Sequence, residues 1–172
     1  MLAQIADLLR TTLDSQSVPE TPLAHEIAFT EQYLALEETR LGNRLRVALD
    51  ISPDTLDALV PNMLLQPLVE NAVRHGVAPL VGGGAIRILS KLQGSQLQIT
   101  VENSGIPGAT QPQNHPGTNG IGLSNTAERL KTLYGATHNL ALEWPETGGC
   151  QVTIRLPYRK AAHEVEDTVC VH

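Results

Sequence analysis

Residues 64–76 read "LLQPLVENAVRHG", and this stretch decides how the chain can fold. On a helix, at about 100° per residue, its leucines, valines and alanine form one broad apolar face. Asn71 and His75 fall at a border of that face, and Arg74 lies beside them on the polar side. The pattern predicts a core helix whose edge is either an ordinary solvated rim or one wall of a site.

The composition narrows the class of protein around this helix. With 172 residues, of which 41% are hydrophobic and 17% charged, the chain can form one packed domain plus a short appendage. A net charge of −6 argues against a nucleic-acid-binding face. Cys150 and Cys170 show neither metal-ligand spacing nor a disulfide framework, which favours a reducing cytosolic setting. No apolar run is long enough to span a bilayer, so the chain is expected to be soluble, yet it is compatible with being part of a larger membrane protein.

The periodicity of apolar residues predicts the order of the elements. Two helices come first, at 2–14 and 22–41, the second with Thr21 as N-cap and Gly42 at its end. The elements after them are a strand at 44–51, a helix at 61–75 opened by Pro61, a hairpin of strands 85–92 and 96–103, a helix at 122–134 stopped by Gly135, and a hairpin of strands 139–144 and 150–156. Antiparallel hairpins with helices on one face predict an α+β fold, a two-layer α/β sandwich preceded by a helical segment.

A glycine-rich segment, "GTNGIGLSNTAERL" at 117–130, precedes the last predicted helix. Gly120 and Gly122 can expose backbone N–H groups beside a helix N-terminus, an arrangement that suits phosphate. The alternative is a simple glycine-rich turn capped by Ser124 or Asn125. The segment is not a Walker loop, because Leu123 stands where that loop requires lysine.

A second polar segment, "VENSGIPG" at 101–108, ends a predicted strand. It can present an acceptor beside a backbone that approaches a ligand closely, although such turns are common.

Taken in order, these three motifs resemble the ATP-binding domain of sensor histidine kinases, the Bergerat or GHKL fold shared with DNA gyrase and MutL. The resemblance is strongest to the LytS-type subfamily. "LLQPLVENAVRHG" is similar to its N box, "VENSGIPG" to its first glycine box and "GTNGIGLSNTAERLKTLYG" to its second. The upstream "YLALEETRLGNRLRV" is also similar, so the resemblance covers about residues 1–158.

The resemblance implies a site for ATP and Mg²⁺, with a role for each matching residue. Asn71 would hold Mg²⁺ together with the phosphates, Arg74 would contact phosphate and His75 would lie near the nucleotide. Asn103 would accept from the adenine amino group, and Gly105 would let adenine approach. Residues 109–119 would form an ATP lid that is mobile without nucleotide. The nucleotide-binding residues at the second glycine box would be Gly120, Ile121, Gly122 and Leu123.

Two positions depart from the family pattern. Asn103 replaces an aspartate, so a charge-assisted hydrogen bond is lost and weak nucleotide affinity is expected; the second glycine of this box is displaced to Gly108. Pro67 stands where ATPases of this fold place a general-base glutamate, so transfer to a positioned acceptor is favoured over hydrolysis. Glu70 lies about 100° around the helix from Asn71 and is not expected to act as the base.

The function implied is the catalytic domain of a two-component sensor histidine kinase, a protein-histidine kinase that donates the ATP γ-phosphoryl group to a histidine outside this chain. No segment resembles the "NPHFLFN" acceptor motif of the subfamily, and His25 is predicted to be a solvated helix residue, so autophosphorylation by this chain alone is not expected. The alternatives are a degenerate module acting in dimerisation or regulation, with weak or no nucleotide binding, and an ATPase of the same fold.

The resemblance also implies domains, partners and location. Residues 1–41 would be the remnant of a dimerisation hairpin, 42–158 the catalytic domain and 159–172 a flexible tail. The partners would be ATP or ADP, a response regulator, the histidine-containing segment of the same kinase and, in the full-length protein, a second copy, with no nucleic acid. The location would be the cytoplasmic domain of a membrane-anchored bacterial sensor.

Overall fold

The computed structural model describes residues 19–105 and 121–161. The predicted first helix, the lid at 109–119 and Gly120 lie outside the described residues. The helices are α1 (Leu23–Leu41), α2 (Leu65–Asn71), continued by a π-helix (Ala72–Val77), and α3 (Ile121–Tyr134). The strands are β1 (Glu20–Pro22), β2 (Leu45–Ile51), β3 (Leu59–Pro61), β4 (Gly84–Gln93), β5 (Gln96–Asn103), β6 (Asn139–Glu143) and β7 (Cys150–Pro157).

Five strands form one mixed sheet in the order β2-β4-β5-β7-β6. Strands β2 and β4 are parallel because β3 and α2 lie between them in the chain, and the remaining neighbours are antiparallel. The predicted α+β class and both predicted hairpins are confirmed. The short antiparallel pair of β1 with β3 was not predicted.

The core lies between the sheet and the helices. Strand residues alternate, so one face of the sheet is apolar and buried, whereas the other carries polar side chains such as Arg87, Lys91 and Gln98. The core side chains come from the strands (Ile86, Ile88, Leu97, Ile99, Val101, Ile154 and Leu156) and from the helices (Leu23, Leu34, Leu65, Leu68, Val69, Val73 and Leu130). The apolar face predicted for the N-box helix is therefore core.

Helix α1 begins one residue later than predicted. Thr21 belongs to β1 and is not the N-cap, because Pro22 has extended backbone angles (φ −58°, ψ 140°) that keep the chain in strand conformation. The Thr21 hydroxyl instead lies 3.2 Å from His25 Nδ1, and His25 is exposed as predicted. At the other end Gly42 has φ 57° and its N–H binds the Glu38 carbonyl, which confirms the predicted stop.

The N-box helix begins at Leu65 and not at Pro61, so that predicted start is wrong. Pro61 is the last residue of β3, and pairing with β1 holds it extended. Met63 then turns the chain with φ 58°, the one positive value at a non-glycine in the described residues. The buried Glu26 carboxylate accepts hydrogen bonds from Met63 N (2.7 Å) and Leu65 N (3.0 Å), and so satisfies amides at the start of α2.

Glu26 is expected to make stability depend on pH. Burial raises the pKa of its carboxyl above the ordinary 4.5, an effect opposed by the amides of residues 63–65 and by Arg129. As pH falls through the raised pKa, the folded state takes up a proton before the unfolded state does, and stability rises until pH passes below the ordinary value. Each pH unit in that window adds about 1.4 kcal/mol to the free energy of unfolding.

The check is chemical denaturation of the wild type and Glu26→Gln at successive pH values. The wild type is expected to gain stability relative to the variant as pH falls toward 4.5. Parallel curves across that window would show that burial does not control this carboxyl.

Arg159 and Lys160, the first two residues of the predicted flexible tail, contact the domain. Arg159 and the Tyr134 hydroxyl both bind the Glu20 carboxylate, so the end of α3 and the end of the described chain meet at β1. Lys160 Nζ also lies 3.3 Å from Asp57 Oδ2. Residues 162–172 lie outside the described part, and the three domain boundaries stay predictions.

Candidate functional site

The N-box helix and the end of β5 meet at a single glycine. A Cβ added to Gly76 would lie 2.1 Å from Asn103 Nδ2 and 2.4 Å from its Cγ. Only glycine leaves room for the Asn103 side chain against this helix. Two motifs that lie about 30 residues apart in the chain are therefore brought together, as the sequence-based prediction required.

Asn71 is the last residue of α2 and has an unsatisfied donor. Its Nδ2 is buried and has no hydrogen-bond partner within residues 19–105 and 121–161. Such a donor costs about 1–3 kcal/mol when it remains unpaired. The side chain suits the predicted ligands, because its N–H can donate to a phosphate oxygen and its carbonyl oxygen is a ligand type that Mg²⁺ accepts.

The described residues contain no group of three or more His, Cys, Asp or Glu side chains that could hold a metal ion. Mg²⁺ at Asn71 would therefore depend on phosphate oxygens and water for its remaining ligands, as is common for this ion. The metal and the nucleotide are expected to bind together.

The chain widens into a π-helix directly after Asn71, over Ala72–Val77. Its backbone includes the bond from Ala78 N to Val73 O at 2.8 Å, which spans five residues. Single turns of this kind occur frequently at functional sites. Arg74 and His75 lie on this turn and are exposed, so both side chains are accessible to an anionic ligand.

Asn103 is oriented by the carbonyl of the next residue. Its Nδ2 donates to Ser104 O at 3.1 Å, which leaves Oδ1 as the acceptor. Ser104 is itself fixed to β4, because its N–H binds the Ala85 carbonyl and its Oγ accepts from Ala85 N at 2.7 Å. The amide oxygen can therefore serve as the acceptor that the aspartate supplies in the family.

Gly105 has a close neighbour that the sequence did not reveal. A Cβ added there would lie 2.2 Å from Gly149 N, and one added to Gly149 would lie 1.9 Å from Asn103 O. The missing side chain at Gly105 is thus required by the protein's own backbone, whatever its role toward adenine. The sequence signal for this contact is the Gly148-Gly149 pair just before β7, which by itself indicates only a turn.

Cys150 pairs with Asn103 in the register of β5 and β7. Burial raises the pKa of its thiol to about 11, so the thiol is neutral at physiological pH. A neutral thiol at this position adds no negative charge that would repel a nucleotide.

The second glycine box is only partly described. Helix α3 begins at Ile121, one residue before the predicted start, and includes Gly122. Leu123 is half-buried and packs against the core, which gives its side chain a structural role. Gly120 lies outside the described residues, so the phosphate contacts predicted for this box stay predictions.

Pro67 is the third residue of α2, where the first turn tolerates proline. Glu70 Oε1 accepts a hydrogen bond from Gln66 Nε2 at 2.7 Å, one turn away on the same helix. Glu70 is therefore engaged within its own helix, in keeping with the prediction that it is not a general base.

Comparison with known families agrees with this geometry. The family described as "Histidine kinase-, DNA gyrase B-, and HSP90-like ATPase" matches residues 57–160, which is more than half of the chain. The chain belongs to this family. The family described as "Histidine kinase" matches residues 1–45.

Curated relatives include sensor kinases of several bacteria. The chain is 36% identical to the uncharacterized protein YwpD of Bacillus subtilis, over 77% of this chain and 50% of that protein. It is 30% identical to the sensor histidine kinase BtsS of Escherichia coli over 81% of this chain and 24% of that one. It is 29% identical to the sensor protein LytS of Enterococcus faecalis, over 91% of this chain and 28% of that protein. The chain spans half or less of the length of these relatives.

Solved structures give the same fold. The catalytic domain of histidine kinase ThkA has a TM-score of 0.58 at 22% identity, over 80% of this chain and 93% of that one. The blue-light activated histidine kinase of Erythrobacter litoralis has a TM-score of 0.56 at 21% identity, over 79% of this chain and 42% of that one. The predicted resemblance to LytS-type kinases is confirmed, and the chain comprises an ATP-binding catalytic domain of the sensor histidine kinase type. The roles of its individual residues stay predictions.

Proposed function

We propose that this chain binds Mg·ATP and donates the γ-phosphoryl group to a histidine that a separate segment of the same kinase supplies. The observation that carries the proposal is Asn71 Nδ2, which is buried without a partner among residues 19–105 and 121–161, on a helix whose next turn packs on Asn103 through Gly76. A bound nucleotide would satisfy this donor, which supports the proposal.

Different side chains would bind the metal, the phosphates and the adenine. The Asn71 amide would hold Mg²⁺ and phosphate, while Arg74 and His75 lie on the adjoining turn, where their exposed side chains would meet the phosphates or the nearby nucleotide. Asn103 Oδ1 would accept from the adenine amino group. Mg²⁺, when bound, neutralises negative charge on the phosphates.

The chain's own residues favour transfer over hydrolysis. Pro67 cannot accept a proton from water, and Glu70 is hydrogen-bonded to Gln66. Catalysis would therefore rest on positioning the phosphates toward an incoming imidazole and on stabilising their charge. Steady ATP turnover by this chain, lost in an Asn71→Ala variant, would instead favour the ATPase alternative.

Calorimetric titration with Mg·ADP tests the proposal. Saturable binding that weakens when Mg²⁺ is removed with a chelator is the expected result. No heat of binding at millimolar nucleotide, with circular dichroism showing a folded chain, would overturn the intact-site proposal.

The second candidate is a degenerate module, favoured by Asn103, whose neutral amide stands where the family has a charged aspartate. Asn103→Asp is expected to bind Mg·ADP about tenfold more tightly, because a carboxylate makes a stronger, charge-assisted bond with the adenine amino group. The same variant is expected to unfold more easily, by about 1 kcal/mol, since Asp cannot donate to the Ser104 carbonyl.

Parallel titration and denaturation of the wild type and Asn103→Asp provide the check. Binding that appears only in the variant would favour the degenerate module. Equal or weaker binding by the variant would show that residue 103 does not meet the base.

Partners and location follow from the kinase proposal. A response regulator would receive the phosphoryl group, in keeping with the solved complex of ThkA with the response regulator TrrA. In the full-length protein a second copy would pair through the segment that contains residues 1–41. No helix within residues 19–105 and 121–161 is long and apolar enough to span a membrane. From the kinase proposal, and not from that absence, we propose that this chain lies on the cytoplasmic side of a membrane-anchored bacterial sensor.

A further inference from the structure

Glu26 is a carboxylate buried in the core that the proposed chemistry does not use. It lies on α1 and is 6% exposed, although glutamate is rarely buried without partners. Its partners are backbone amides of another element, because Oε1 accepts from Met63 N and Oε2 accepts from Leu65 N. Both carboxylate oxygens are therefore committed to the chain just before α2 and at its first residue.

These two bonds help to fix a segment that also places the buried side chains of Leu64 and Leu65 in the core. Met63 adopts the left-handed conformation, which costs a non-glycine residue about 1–2 kcal/mol. Leu64, the next residue, has helical backbone angles. No side chain of residues 63–65 caps the helix. The direction in which α2 leaves this turn therefore depends in part on a side chain from α1.

The turn lies close to the nucleotide-binding residues. Asn71 is six residues after Leu65, about 9 Å along the helix axis. The backbone of α2 is continuously helical between these residues, so a change at its first amides is expected to tilt or shift its last residue. The side chains between them, such as Leu68 and Val69, are buried against the core and transmit the movement rather than absorb it.

We infer that Glu26 is a positioning residue for the metal and phosphate ligand, setting the place of Asn71 through the amides of Met63 and Leu65. The inference rests on the proposed function of Asn71. It makes the register of α1 against α2 a determinant of Mg²⁺-dependent nucleotide binding, although Glu26 touches neither metal nor nucleotide.

Glu26→Gln tests the inference with little change of volume. Glutamine keeps one acceptor oxygen but turns an NH₂ group toward the second amide, so one of the two bonds is lost. The ratio of ADP affinity with Mg²⁺ to ADP affinity in chelator is expected to fall about tenfold, as for other residues that orient metal ligands. Affinity for ADP in chelator is expected to fall less than affinity with Mg²⁺, because Asn103, the proposed adenine acceptor, lies on β5 and not on α2.

Glu31→Gln is the matched control, since Glu31 is exposed on the same helix and is not expected to alter the ratio. NMR supplies a readout that needs no nucleotide: the side-chain amide signals of Asn71 are expected to shift in Glu26→Gln and to stay in place in Glu31→Gln. If Glu26→Gln does not fold, Glu26→Asp carries the same test with a shortened carboxylate.

The two proposals fail in different ways. A folded Glu26 variant with unchanged Asn71 signals and an unchanged Mg²⁺ ratio would overturn the positioning role. Absence of ADP binding by the wild type would overturn the proposed function, while shifted Asn71 signals in the variant would still support the coupling between α1 and Asn71.

Discussion

Replacing Asn71 with alanine is expected to weaken Mg²⁺-dependent ADP binding at least about 100-fold while leaving the domain as stable as the wild type or more stable. Binding falls because the side chain that would hold both Mg²⁺ and phosphate is gone. Stability does not fall, because the variant no longer buries an Nδ2 that has no partner among the described residues, which costs about 1–3 kcal/mol, and because alanine favours helix.

Calorimetry with Mg·ADP and urea denaturation measure the two effects on the same samples. Asn139→Ala is the matched control, because Asn139 is exposed at the first position of β6. Asn139 pairs with Arg155 on β7, and Arg155 lies five residues along that strand from Cys150, the residue that pairs with Asn103. The control is expected to bind like the wild type. A large loss of stability in Asn71→Ala would instead assign Asn71 a structural role.

Gly149→Ala is expected to lower the free energy of unfolding by about 3–5 kcal/mol. Two causes add. The residue has φ 92°, which a side chain disfavours, and the new Cβ would lie 1.9 Å from the Asn103 carbonyl oxygen. That oxygen belongs to the backbone and cannot rotate away, so β5 or β7 must shift. Nucleotide affinity is expected to fall as well, since Asn103 is displaced.

Gly94→Ala separates the two causes. Gly94 also has a positive φ, of 60°, but a Cβ there meets nothing within 4 Å. Its substitution is expected to cost only about 1–2 kcal/mol, the strain of the left-handed conformation. Denaturation curves of the two variants compare them directly, and equal losses would mean that the close approach of Gly149 to Asn103 contributes nothing.

The periodicity of apolar residues was sufficient for most elements. Alternation in β4, β5 and β7 and the 3.6-residue spacing in α1 and α3 are local properties, since each strand or helix buries its own apolar face. The short pair of β1 with β3 was not predicted because three-residue strands carry no periodic signal. The start of α2 was misplaced for a related reason: Pro61 is compatible with either a helix start or a strand end, and only its pairing partner decides which.

For the candidate site, too, some features could be predicted from the sequence and others are visible only in the structure. The order of the three motifs was enough to predict the family, and the family match confirms it. The sequence could not show that Gly76 lacks a side chain so that Asn103 can pack against it, or that Gly105 does so for Gly149. Nor could it show that the Asn103 amide donates to the Ser104 carbonyl. Each of these contacts joins residues that are distant in the chain or depends on a side-chain torsion.

The sequence by itself determined the fold class, the family and the candidate nucleotide-binding residues, because these depend on local periodicity and on motifs whose letters are contiguous. Only the tertiary structure decided where the N-box helix begins and what orients it. Glu26 carries no motif signal at its own position. It acquires its role because folding buries its carboxylate beside two amides nearly 40 residues away, where it can form hydrogen bonds that water would otherwise supply.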